Sequence, residues 1–205
     1  RRMSLPDDLS HHALFYRDQR EYLAGITAFA RGGLAGAEPV FIAVPGRSHR
    51  LVSEQLGEDS RQVAYADMAE TGRNPARIIP EVRTFADHHP RQRVRFITES
   101  AWPGRSAAEL REATRHEALV NLAFAGTAAS ILCLYDADGL GESVIGAARR
   151  THPAILAGGQ LEASASYTGP ESIPPECERP LPAPPPHAEA LGYHDDLRPL
   201  RQLVE

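Results

Sequence analysis

One carboxylate lies on the apolar stripe of a predicted helix. Helical spacing places Glu117 on the same face as four apolar residues, Leu110, Ala113, Val120 and Phe124. Because a buried carboxylate without partners is costly, Glu117 needs donors, and Asn121, one turn further along, can supply one. Two interpretations stay open, a structural hydrogen-bond network and a ligand-facing group. A general base is disfavoured, because no nucleophile or oxyanion motif accompanies Glu117.

Other candidate residues stand at the ends of predicted elements. Tyr135 and Asp136 close an apolar strand, and ligands of open α/β sheets usually bind beyond the carboxyl ends of strands. Asp136 could bind a metal, contact a ligand or cap the following helix, and capping is the simplest of these roles. His12, before the first strand, and His152, after the last helix, are further pocket candidates. Cys133 is expected to be a buried small apolar residue.

Motif searches return few signals for cofactors. The adjacent pairs His11-His12 and His88-His89 point their side chains apart, and no Cys-x-x-Cys or His-x-x-x-His spacing occurs. We therefore predict no metal and no cofactor. Neither G-x-x-x-x-G-K-[ST], G-x-G-x-x-G nor G-x-S-x-G is present. The segment 45–48 (PGRS) could hold an anion on its backbone amides, although a plain turn is the simpler interpretation.

Short, continuous apolar runs predict strands that are covered on both faces. Three runs are clear, at 39–44, 94–98 and 129–135, and two weaker ones lie at 13–16 and 62–65. Helical patterns fall between them. The first begins near Asp18 and is predicted to stop at Gly32-Gly33. The others are predicted to begin at Ser48, at the Asn74-Pro75 pair or Pro80, at Ser106, and at Gly141, with Glu109 completing a capping box at Ser106. This alternation predicts an α/β fold, a mostly parallel sheet with helices on both faces.

Composition is that of an ordinary globular chain. The 205 residues are 42% hydrophobic and 24% charged, with a net charge of −5, which disfavours direct nucleic-acid binding. No apolar run approaches the length of a membrane span, and two cysteines favour a reduced, cytoplasmic protein. We expect a disordered or cloning-derived N-terminus at 1–9, a sensory domain at 10–168, a proline-rich linker at 169–195 and the start of a further helix at 196–205.

Several segments, in the same order along the chain, resemble the MEDS family of sensory domains, in the form found in actinobacterial anti-sigma-factor and histidine-kinase-like regulators. They include HHALFYRDQREYLAGITAFARGGLAGAEPVFIAV near the start, DMAETGRNPARIIP from Asp67, ESAWPGRSAAELREATRHEALVNLAF from Glu99 and LCLYDADGL from Leu132. ARRTHP from Ala148 and SASYTGP follow, so the similarity covers about residues 10 to 170. One departure is Leu134, where related sequences usually carry proline.

The resemblance implies a three-layer fold related to RecA and KaiC-type ATPases but without their phosphate loop. It also implies a sensory role with a hydrocarbon-like small molecule as signal. In similar regulators a GHKL-type kinase or ATPase domain follows. A sigma factor or an anti-anti-sigma protein is then the expected partner of the full-length regulator.

Three functions are therefore compared. The first is a non-enzymatic sensing domain that modulates an adjoining kinase-like domain. The second is an interaction or homodimerisation module without a ligand. The third, a nucleotide hydrolase, is disfavoured by the missing phosphate loop. For the first function, we expect the pocket among eight residues: His12, Tyr16, Arg105, Glu117, Asn121, Tyr135, Asp136 and His152.

Overall fold

A computed structural model describes residues 9–157, 160–178 and 183–187. Residues 1–8 of the predicted N-terminal segment 1–9 and the whole predicted segment 196–205 lie outside the described residues. The described strands are β1 Ser10–Tyr16, β2 Val40–Val44, β3 Val63–Asp67, β4 Val94–Thr98, β5 Ala129–Asp136, β6 Ala154–Ala157 and β7 Gln160–Ala163. The described helices are α1 Gln19–Ala35, α2 Gly46–Leu56, α3 Met68–Thr71, α4 Ile78–Asp87, α5 Ala107–Ala123 and α6 Glu142–Thr151.

The strands form one sheet in the order β3-β2-β4-β5-β1-β6-β7. All neighbours pair in parallel except β6 and β7, which pair antiparallel. One face of the sheet packs against α1 and α2, and the other packs against α4, α5 and α6. The predicted α/β class, with a mostly parallel sheet between helices, is confirmed. Burial on both faces explains why β2, β4 and β5 are continuous apolar runs.

Local signals set most helix starts. Asp18 caps α1 by accepting from the amide of Glu21, and Ser106 and Glu109 form the predicted capping box of α5. Asn74 caps a short 3₁₀ turn, Pro75–Arg77, and α4 starts only at Ile78 with Pro80 in its first turn. Proline is tolerated there, because its missing amide has no intrahelical partner.

The predicted stop of α1 at Gly32-Gly33 is wrong, because the helix continues to Ala35. Gly33 serves close packing instead. A Cβ on Gly33 would come within 2.9 Å of the Arg95 side chain and 3.0 Å of Val40. Arg95 lies against this part of α1, where it pairs with Glu38 at 2.7 Å and stacks on Phe29. The glycine therefore admits a neighbouring side chain and does not end the helix.

Candidate functional site

Four side chains with metal-ligand chemistry meet between the sheet and its α5–α6 layer. His11 comes from β1, Cys133 from β5, Glu117 from the middle of α5 and His152 from the residue after α6. Each is at most 1% exposed. One ligand atom from each, a histidine nitrogen, the thiol sulfur or a carboxylate oxygen, lies within 4.8 Å of all the others. We call these four residues the buried cluster.

Glu117 is the centre of the buried cluster. Its Oε2 lies 3.1 Å from the Cys133 sulfur, 3.4 Å from His11 Nε2 and 3.5 Å from His152 Nε2. Its Oε1 accepts a hydrogen bond from the hydroxyl of Ser100, which follows β4. The prediction that α5 turns this carboxylate inward is confirmed, and its surroundings come from four different elements.

Side chains and carbonyls behind the cluster fix the two imidazole rings. His11 Nδ1 lies 3.1 Å from Asn121 Oδ1, and Asn121 in turn donates from Nδ2 to the Thr151 carbonyl at 2.8 Å. His152 Nδ1 donates to the Ala148 carbonyl at 2.8 Å. The two rings face each other with their centroids 4.1 Å apart. Each Nε2 atom is thereby directed at Glu117.

Burial controls ionisation in the cluster. Burial first, and then repulsion from His152, lowers the pKa of His11 to about 4, so its imidazole is neutral near pH 7. Burial, then the charge of Glu117, raises the pKa of the Cys133 thiol well above its usual range. Burial alone would also raise the pKa of Glu117, but the polar groups around the carboxylate, His11 and His152 foremost, lower it well below its usual range. An ionised carboxylate is thus enclosed beside the neutral imidazole of His11 and the neutral thiol of Cys133.

A second site opens at the carboxyl edge of the sheet. Its cavity has a volume of about 310 Å³ and lies where β1, β2, β4 and β5 end. We call it the crevice, and it is lined by Tyr16, Arg17, Asp18, Gln19, Tyr22, Arg47, Ser48, Leu51, Glu99 and Asp136. A crevice forms there because α1 follows β1 onto one face of the sheet while α6 follows β5 onto the other.

Glu99 is the buried polar group of the crevice, with 2% exposure. Its two oxygens accept from Tyr16 at 3.0 Å and from Tyr22 at 2.9 Å. Burial raises the pKa of Glu99 and Asp136 adds to the rise, while the two tyrosine hydroxyls and Arg47 oppose it. The crevice therefore holds an acid whose neutral form is favoured by its surroundings.

This raised pKa predicts a pH effect on stability. Between the ordinary pKa of a glutamate, about 4.3, and the raised value, the unfolded chain ionises first, so Glu99 makes the folded state less stable as pH rises. We expect Glu99→Gln to reduce that decline. Urea unfolding of both proteins across the acidic to neutral range measures it. A stability difference that stays constant with pH would contradict the assignment, and Glu54→Gln, on the exposed side of α2, is the matched control.

The eight predicted pocket residues separate into groups. Glu117, Asn121 and His152 meet in or beside the buried cluster, and the Tyr135 ring packs edge-on against His152 with centroids 5.6 Å apart. Tyr16 and Asp136 line the crevice. Asp136 also accepts from the amides of Asp138 and Gly139 and so closes the turn that precedes α6. Its predicted role as a helix cap is wrong, because Gly141 is the N-cap of α6 and no side chain among the described residues caps that helix.

His12 and Arg105 belong to neither site. The His12 ring lies near Phe29 of α1, on the opposite face of the sheet from the cluster. Arg105 donates to the Gly72 carbonyl and stacks on the Trp102 ring at 3.7 Å. In the turn at 45–48, considered above as an anion site, the Gly46 amide already donates to the Asp67 carboxylate of the same chain at 2.8 Å.

Sequence reasoning missed His11, Ser100, Tyr22 and Glu99 and gave Cys133 only a packing role. The alternation of side chains along the strands contained a signal for two of these residues, His11 and Cys133. His11 and Ala13 share one face of β1, Cys133 and Tyr135 share one face of β5, and Ala13 pairs directly with Cys133. Which face of a doubly covered sheet meets α5 is set only by the tertiary fold.

Comparison with known proteins adds the family. The family model described as MEDS, the MEthanogen/methylotroph, DcmR Sensory domain, matches residues 10–153. The chain belongs to the MEDS family. The matched segment runs from β1 through His152 and so contains all four residues of the buried cluster.

A search of curated proteins returned no match. Among the described helices of this MEDS domain, none combines the length and apolar character that crossing a bilayer requires.

Proposed function

We propose that this MEDS domain senses a small molecule in the crevice and passes its bound state to an adjoining ATPase or kinase domain. Membership of a sensory family supports the general role. The crevice carries the proposal, because it combines a buried carboxyl group, two tyrosine hydroxyls and the Arg47 guanidinium at the place where open α/β sheets bind ligands.

An apolar groove beside the crevice supports a ligand with a hydrocarbon part. The groove has a volume of about 600 Å³, and Arg17 lines both spaces. Its apolar lining comes from β1, α1 and β6, and comprises Leu14, Phe15, Ala24, Gly25, Ala28, Ile155, Leu156 and Ala157. A short alkyl compound with one polar end would place the polar group in the crevice and the alkyl part in the groove.

The regulatory output follows from the resemblance to anti-sigma-factor and histidine-kinase-like regulators. In this proposal the domain is cytoplasmic and non-enzymatic, and the full-length regulator acts on a sigma factor or an anti-anti-sigma protein. The ligand would favour one of two conformations, and that preference would alter the adjoining domain. The absence of a phosphate-loop motif from the sequence supports binding over nucleotide hydrolysis.

Filling the groove tests this function. Ala28→Phe places a ring in the groove from an exposed position on α1, and Ala35→Phe makes the same change at an exposed position of α1 outside the groove. Short-chain alcohols, amines and halogenated alkanes serve as probes in thermal unfolding. We expect at least one probe class to raise the melting temperature of the wild type and of Ala35→Phe but not that of Ala28→Phe.

Native mass spectrometry of the chain taken directly from cells adds a test that needs no chosen probe. A retained small molecule that Ala28→Phe loses and Ala35→Phe keeps would support the proposal. No stabilisation by any probe, together with only the unliganded mass from cells, would overturn it.

A further inference from the structure

We propose that the buried cluster binds one divalent transition-metal ion of the zinc type through His11 Nε2, His152 Nε2, Cys133 Sγ and Glu117 Oε2. This inference does not depend on the crevice or on its ligand. It rests on hydrogen-bond geometry, on distances and on charge.

The hydrogen bonds of the two imidazoles place a proton on each Nδ1 atom and leave Nε2 as the ring nitrogen that can bind a metal. A carbonyl oxygen only accepts, so the Ala148 carbonyl requires a proton on His152 Nδ1. Asn121 donates from Nδ2 to the Thr151 carbonyl, which turns its Oδ1 towards His11 and requires the His11 proton on Nδ1 as well. Both Nε2 atoms face the Glu117 carboxylate.

One of the four ligand atoms has no hydrogen-bond partner. Two ring nitrogens and a carboxylate oxygen converge, and the Cys133 thiol lies within hydrogen-bond distance of His11 Nε2 and Glu117 Oε2. His152 Nε2 is buried and has no hydrogen-bond partner. Buried polar atoms are normally satisfied, and a metal ion between these four atoms would satisfy His152 Nε2 together with the other three.

The distances suit a tetrahedral ion. Bonds of about 2.0–2.3 Å from zinc to nitrogen, oxygen and sulfur place neighbouring ligand atoms about 3.3–3.7 Å apart. Glu117 Oε2 lies 3.1 to 3.5 Å from the other three ligand atoms, and His11 Nε2 lies 3.3 Å from the Cys133 sulfur. The remaining distances between ligand atoms are at most 4.8 Å, so small side-chain shifts would close all four ligands around one zinc ion.

Charge also balances. On binding, the Cys133 thiol loses its proton to solvent, so one thiolate, one carboxylate and two neutral imidazoles surround a 2+ ion with no net charge. A neutral complex is the form that a fully enclosed site can accommodate. Thiolate with imidazole and carboxylate favours zinc, cobalt or a similar borderline-soft ion over magnesium or calcium.

The groups behind the cluster match those that orient metal ligands. Asn121 and the Ala148 carbonyl hold the two histidines, and Ser100 holds the Glu117 oxygen that faces away from the other ligands. Through Ser100 the metal would also lie next to Glu99 in the crevice. The ion would join β1, β5, α5 and the end of α6, and because the site is closed it would enter during folding or local opening.

Refolding with metal provides the test. The wild-type chain is unfolded in denaturant with a chelator, refolded with Zn²⁺ or without it, freed of loose metal by gel filtration and measured for metal content. We expect about one zinc per wild-type chain. Cys133→Ser and His152→Ala should hold zinc at least about tenfold more weakly. Cys177→Ser and His12→Ala are matched controls outside the cluster and should keep about one ion.

Cobalt gives a readout in the wild type, which does not depend on the folding of any variant. Wild type refolded with Co²⁺ should show the visible bands of tetrahedral cobalt and a near-ultraviolet band from thiolate-to-metal charge transfer. Cys133→Ser should lose the charge-transfer band. A wild type that retains neither ion would overturn the proposal, and so would cluster variants that bind zinc as tightly as the wild type.

Discussion

Replacing Phe96 by alanine is expected to lower the free energy of unfolding by about 3 to 5 kcal/mol. Phe96 is fully buried in β4 and packs against three other phenylalanine rings, those of Phe41, Phe85 and Phe124, with centroids 5.7 to 6.1 Å away. These rings come from β2, α4 and α5, so the cavity left by alanine would separate the central sheet from two helices. Such a rigid, multi-element site cannot collapse cheaply.

Urea unfolding of the variant and the wild type measures this effect. Leu122→Ala is the control, because Leu122 lies on α5 with 44% exposure and its truncation should change stability by less than about 0.5 kcal/mol. A loss below about 1 kcal/mol for Phe96→Ala would mean that the four rings do not form a close-packed core.

The same burial explains which strands the sequence could predict. β2, β4 and β5 lie in the interior of the sheet between two helical layers, and each therefore needs an apolar residue at nearly every position. β7 was not predicted, because its four residues are exposed and it is held by backbone pairing with β6. Backbone pairing at a sheet edge leaves almost no pattern in side-chain type.

The candidate site was predictable only in part, for a related reason. Glu117 and Asn121 could be found, because a polar residue on an apolar helical stripe is unusual. Choosing His11 over His12 required knowledge of which sheet face meets α5, and both faces are covered. The metal-type grouping joins residues 16 to 141 positions apart in sequence, so no short spacing motif could reveal it. Long-range convergence of this kind depends on strand order.

The second large effect is expected at Glu117, whose replacement by alanine should cost about 3 to 5 kcal/mol. Removing the carboxylate leaves the Ser100 hydroxyl and the Cys133 thiol without their acceptor, and it opens a polar void that both histidine rings face. Each buried group that loses its partner incurs a desolvation penalty. Glu112→Ala, on the exposed side of α5, should change stability by less than about 0.5 kcal/mol.

Measuring this variant in two buffers decides what Glu117 does. If the carboxylate only organises hydrogen bonds, the loss of unfolding free energy in Glu117→Ala is the same with a chelator as with saturating Zn²⁺. If it is a metal ligand, zinc stabilises the wild type and not the variant, so the loss is larger with zinc, because an ion that binds only the folded chain adds its binding free energy to stability. A loss below about 1 kcal/mol in both buffers would contradict both roles.

Among the described residues, Glu117 contacts the crevice only through Ser100. Crevice probes should therefore still raise the melting temperature of any Glu117→Ala protein that folds.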